Sequence, residues 1–150
     1  IDDHSLALKV RRALNEDPEI KSRAHINITT FNGDELVTGE APDAALRARA
    51  GSLAEDAGKV RMVHNELVLE GPSSAMSRAS DSLLHAKVKG AMVAAENFDA
   101  TRVEVTVEQG TVFLMGLVTR DEADRATEIT RRVGGVQKVV RLFEYIRPEP

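Results

Sequence analysis

Gly110-Thr111-Val112-Phe113-Leu114-Met115-Gly116-Leu117-Val118 is a glycine-flanked run of apolar and β-branched residues. It reads as the returning strand of a hairpin. About 77 positions earlier the same grammar is spelled Gly33-Asp34-Glu35-Leu36-Val37-Thr38-Gly39-Glu40-Ala41. The likeness extends outward from both runs. Upstream, Leu8–Leu14 aligns with Ala86–Met92 and Ile26–Thr29 with Val103–Thr106; downstream, Gly58–Val63 aligns with Gly134–Val139 after a one-residue slip. Such a period is too long for a solenoid unit and implies two tandem domains.

Each copy reads as helix, strand, strand, helix, strand. In the first, a helix runs from His4 to about Asn15 with Leu6, Val10, Ala13 and Leu14 on one face, and Pro18 is expected to end it. Strands follow at Ile26–Thr30 and Leu36–Gly39, a helix opens at Pro42-Asp43, and a last strand spans Val60–Leu69. The second copy has a helix over 80–95, strands over 102–107 and 111–118, a capping-box pattern at Thr119–Glu122, and a strand over 136–146. The fold class is α+β: two αββαβ domains at 1–70 and 80–150, each with two helices on a three-stranded mixed sheet, joined by a linker at 71–79.

Domains of this size sit near the lower limit for an independent core. With 3% aromatic residues, no Trp and no Cys, the core must be aliphatic and carries no disulfide. No apolar run reaches the roughly 20 residues of a spanning helix. Because the chain begins with Ile1, a mature or trimmed form is expected. The net charge is −4. Residues 1–70 hold 9 basic against 13 acidic side chains and residues 71–150 hold 11 against 11. Neither half has the basic excess or stacking aromatics of a nucleic-acid binder.

Catalytic patterns are missing. His4, His25, His64 and His85 fall one per element without metal-ligand spacing, and the acidic pairs fall at termini, turns and helix starts. No nucleophile elbow or phosphate-cradling glycine loop is spelled. Neither an enzyme nor a cofactor or metal is expected.

The copies differ on their first helices. The outer face of the first carries His4, Lys9, Arg11 and Arg12, with Leu8 its one large apolar residue. In the second, Leu84, Val88, Ala91, Met92 and Ala95 can cover the sheet, yet the opposite face holds Leu83, Ala86, Gly90, Val93 and Ala94 beside Lys87 and Lys89. A helix apolar nearly all round must bury its second face, against an anionic bilayer or against protein. The second sheet is also two-faced: Phe113, Met115 and Leu117 lie opposite the Val112 face, and the last strand adds Val140 and Leu142. The first domain, whose Leu36, Thr38 and Glu40 are expected outward, is the partner anticipated for that face.

The Gly-x-Val-x-Leu-x-Gly-x-Val pattern at Gly110–Val118, followed by Thr119, a helix and Gly135-Val136-x-x-Val139, resembles the BON domain (bacterial OsmY and nodulation). The first copy is a looser instance. Ala24–Ile28 and Val112–Thr119 are similar to the dual-BON outer-membrane lipoproteins. That resemblance implies a lipid-anchored protein at the periplasmic face of the outer membrane that binds anionic phospholipid, notably phosphatidylglycerol. Contact would run through the first helix of the second domain, at Leu83, Leu84, Ala86, Lys87, Lys89, Gly90, Val93 and Ala94. It also implies support of envelope integrity and of the division site, envelope or division proteins as further partners, and a monomer. Where the subfamily carries a membrane-inserting Trp, this sequence has Leu83, so shallower insertion is expected. Soluble periplasmic stress or adaptor proteins of the same family are the alternative class.

Overall fold

The computed structural model describes residues 2–71 and 75–146, and the chain divides into two compact units, residues 1–74 and 75–150. The first unit contains α1 (Asp3–Asn15), α2 (Pro18–Arg23), β1 (His25–Phe31), β2 (Asp34–Ala41), α3 (Ala44–Asp56), β3 (Met62–Asn65) and β4 (Val68–Leu69). The second contains α4 (Ala75–Ala94), a 3₁₀ turn (Ala100–Arg102), β5 (Val103–Glu108), β6 (Thr111–Val118), α5 (Arg120–Arg131) and β7 (Lys138–Tyr145). Both are α+β units built on a mixed sheet.

Each sheet is centred on the glycine-flanked strand. β2 pairs antiparallel with β1 and parallel with β3 and β4; β6 pairs antiparallel with β5 and parallel with β7. The hairpins close through two-residue turns, Asn32-Gly33 and Gln109-Gly110, whose φ angles are all positive (52°, 82°, 49° and 79°). That is the twist-matched type I′ geometry, which explains the first glycine of each motif. The second glycine has a packing cause: a Cβ on Gly39 would strike the His25 carbonyl, and one on Gly116 the Arg102 carbonyl.

The helices cover one face of each sheet. In the first unit Leu6, Val10, Leu14, Ile20, Val37, Leu46 and Leu67 form the core. In the second, Leu84, Val88, Met92, Val105, Val112 and Leu114 do, sealed by Ala123 and Ala126 of α5. The Thr119–Glu122 capping box forms with both reciprocal bonds, at 3.1 and 2.9 Å.

Three local readings change. Pro18 does not merely end a helix; it starts α2, capped by Asp17, because a proline at the first helical position lacks only an N–H that would go unpaired. The strand expected over Val60–Leu69 breaks into β3 and β4 where Leu67 turns into the core. Residues 75–79, read as linker, are the first turns of α4; residues 72–74 of that linker lie outside the described residues.

Candidate functional site

α4 is where the two units part. α1 buries Leu6, Val10 and Leu14 and exposes Lys9, Arg11 and Arg12. α4 buries Leu84, Val88 and Met92, but on its other side Leu83 is 64% exposed and Val93 72% exposed. Ala86, Gly90 and Ala94 are exposed beside them. The stripe continues toward the helix start through exposed Ala79 and Met76, the latter 80% exposed. At 20 residues the helix is about 30 Å long, and the stripe follows most of it.

Charge is arranged around this stripe. The single carboxylate of α4, Asp81, turns inward and accepts from the backbone N–H of Gln109 (2.7 Å) and Gly110 (3.1 Å). No acidic side chain of the helix therefore stands in the stripe. Lys87 Nζ donates to the Gly134 carbonyl at 2.9 Å and Lys89 Nζ to the Val103 carbonyl at 3.3 Å. Their alkyl stems flank the apolar positions, and each ammonium keeps further N–H groups for an incoming phosphate. His85 is engaged with the Val105 carbonyl at 3.0 Å. Among the described residues no group of His, Asp and Glu converges to hold a metal, and no helix is long and apolar enough to cross a membrane.

Residues 2–71 and 80–147 each match the BON domain. The chain belongs to the BON family, as a tandem pair. It is 36% identical over 146 residues to the outer membrane lipoprotein DolP of Haemophilus influenzae, covering 97% of this chain and 76% of that protein. It is 34% identical over 148 residues to a 21 kDa hemolysin of Actinobacillus pleuropneumoniae, covering 98% and 76%. Among solved structures, CdsD, a structural protein of the type III secretion system of Chlamydia trachomatis, aligns with a TM-score of 0.38 and 17% identity, over 99% of this chain and 66% of that one.

Most of the residues anticipated on the first helix of the second BON domain share one exposed face. Leu84 does not: only 7% exposed, it packs into the core with Val88 and Met92, on the sheet side of α4. The two lysines differ from the expectation in detail, being tethered to carbonyls rather than extended into solvent. Met76 and Ala79 join the face because α4 begins at Ala75, five residues before the start the sequence pattern predicts. Their signal was present, since Met76 stands seven positions and Ala79 four before Leu83.

On the second sheet Phe113 and Met115 are buried, Val140 and Leu142 half-buried, and Leu117 exposed. In the first BON domain, Leu36, Thr38 and Glu40 are not left to water: all three are buried, as is β2 along its whole length.

The first BON domain also holds an unusual acid. Glu35, on the helix-covered side of β2, is fully buried. Thr30 Oγ1 donates to Glu35 Oε1 at 2.7 Å, and Oε2 has no hydrogen-bond partner among the described residues. Burial, reinforced by nearby Asp3 and only partly offset by Thr30, pushes this carboxyl up to about 7.

Proposed function

We propose that this BON pair is a non-enzymatic envelope protein that docks on anionic phospholipid, phosphatidylglycerol in particular. Docking uses the Met76–Ala94 stripe of α4, at the periplasmic face of the outer membrane, in support of envelope integrity and of the division site. The observation that carries this reading is the exposed apolar stripe, free of helix carboxylates and flanked by Lys87 and Lys89. The names of two relatives, an outer membrane lipoprotein and a hemolysin, both point toward membranes.

Magnitudes agree with a weak, reversible contact. Full burial of a Leu, Val or Met side chain contributes about 1.5–3 kcal/mol, and an interfacial helix realises part of that. Each lysine adds roughly 1 kcal/mol near an anionic surface. A covalent lipid on the full-length protein would supply the second anchoring signal. With Leu83 where an interfacial aromatic ring would hold best, insertion is shallow.

The test is co-sedimentation with phosphatidylglycerol or phosphatidylcholine vesicles. Wild type is expected to prefer the anionic vesicles, and Leu83→Asp and Val93→Asp to abolish binding. The pair Lys87→Glu and Lys89→Glu is expected to remove the preference. Equal binding to both vesicle types, or full binding by the aspartate variants, refutes the reading.

A second reading has its own observation. Ala86, Gly90 and Ala94 recur every four residues, and a Cβ on Gly90 would meet nothing within 4 Å. The fold does not require glycine there, whereas a closely approaching partner helix would use it. In that case the chain is a periplasmic adaptor: wild type sediments with neither vesicle, and Gly90→Leu blocks capture of the protein partner.

A further inference from the structure

We propose that the corner between α1, α2 and β1 of the first BON domain binds a single-chain anionic amphiphile, a fatty-acid-like carboxylate with its chain end on the domain core. A cavity of about 200 Å³ opens there. Its floor is apolar, formed by Leu14, Ile20 and Ile28. Its rim carries Arg11, Lys21 and His25, and no carboxylate lines it. Pockets that enclose a whole drug-sized ligand run to roughly 300–1,000 Å³, so this one suits one end of a molecule and not a two-chain phospholipid.

The charge pattern selects the ligand. The Arg11 and Lys21 side chains make no hydrogen bond or ion pair among the described residues. Acids lie close in sequence but are engaged elsewhere: Asp17 with Arg49 at 2.8 Å, and Glu19 with Arg23 at 3.2 Å. Glu16 stands outside, in a shallower depression beyond Arg11. In a domain whose acids outnumber its bases, two unpaired cations beside a histidine at the mouth of a cavity with an apolar floor favour an anionic headgroup. The Arg11 guanidinium can hold a carboxylate through two parallel bonds.

The second BON domain serves as an internal control. Arg11 aligns there with Lys89, whose ammonium reaches the carbonyl of Val103, the counterpart of Ile26. α2 has no equivalent helix; a three-residue 3₁₀ turn stands before β5. The insertion of α2 and the missing tether together distinguish this corner of the first domain.

The test is titration of decanoate, below its micellar concentration, into the ¹⁵N-labelled chain. Saturable amide shifts at Leu14, Ile20, Ile26 and Ile28 are expected, with affinity reduced by about tenfold or more in Arg11→Glu/Lys21→Glu. The same shifts are expected to persist in Leu83→Asp, which separates this site from the lipid-docking helix. Matching shifts from decyl maltoside would remove the anion requirement, and matching shifts from inorganic phosphate would remove the chain requirement. Either result, an absence of saturable shifts, or their loss in Leu83→Asp overturns the proposal.

Discussion

Glu35 occupies in the first BON domain the core position that Val112 holds in the second, so one residue separates an apolar site from an ionisable one. Its carboxyl titrates near 7 in the folded chain against an ordinary 4.5. The folded state thus holds the proton more tightly than the unfolded chain does. Stability is unpenalised below about pH 4.5, falls as pH rises through the interval, and carries the full penalty above about 7. Glu35→Gln is therefore expected to match wild type at pH 4.5 and to exceed it at pH 8 by roughly 1–3 kcal/mol. Urea unfolding at the two pH values measures this, and a gain equal at both would show that ionisation is not the cause. The sequence reveals that a glutamate replaces the valine. It does not reveal that Thr30 supplies a hydrogen bond while Asp3 adds repulsion, because that depends on where β1 and α1 lie.

At the scale of elements, both domains use one device that residue patterns alone left undetected. Asp3, in the first turn of α1, accepts from the N–H groups of Asn32 (2.8 Å) and Gly33 (3.0 Å); Asp81 of α4 does the same for Gln109 and Gly110. Each carboxylate clamps its first helix to the hairpin turn and rewards the left-handed turn conformation, which is costly for Gln109 in particular. Asp3 looked like a terminal solvating acid because its partners lie 29 and 30 positions away. Asp81→Ala removes two charge-assisted bonds and is expected to cost about 2–3 kcal/mol in chemical denaturation. A loss below about 0.5 kcal/mol would mean that the turn holds itself. The capping box at Thr119, by contrast, was legible in sequence because its reciprocal bonds span three residues. The early start of α4 is hidden because Gly71-Pro72-Ser73-Ser74 reads as a linker and Ala75–Ala79 carries no start signal of its own.

For the whole molecule, net charge and local surface oppose each other. The chain is −4, with that excess in residues 1–70, whereas α4 presents two lysines beside an apolar stripe. Salt screens both the attraction of α4 and the repulsion of the acidic half. Vesicle affinity is accordingly expected to fall severalfold between low salt and 0.5 M NaCl, by less than the roughly 30-fold that two unopposed lysines at about 1 kcal/mol each would lose. An unchanged affinity would show that the lysines contribute no attraction. The sequence by itself determined the repeat, the α+β class, the central glycine-flanked strands, the family and the helix on which the copies diverge. Those features live in short-range periodicity and in the comparison of one copy with the other. Tertiary structure decided how far the outward face of that helix extends, adding Met76, and it kept Leu84 in the core, where periodicity puts it and the family resemblance does not. It also tethered the lysines, buried Glu35 and opened the corner beside Arg11 and Lys21. The physical reason is that burial, desolvation and pairing depend on neighbours distant in the chain, and periodicity carries no record of them.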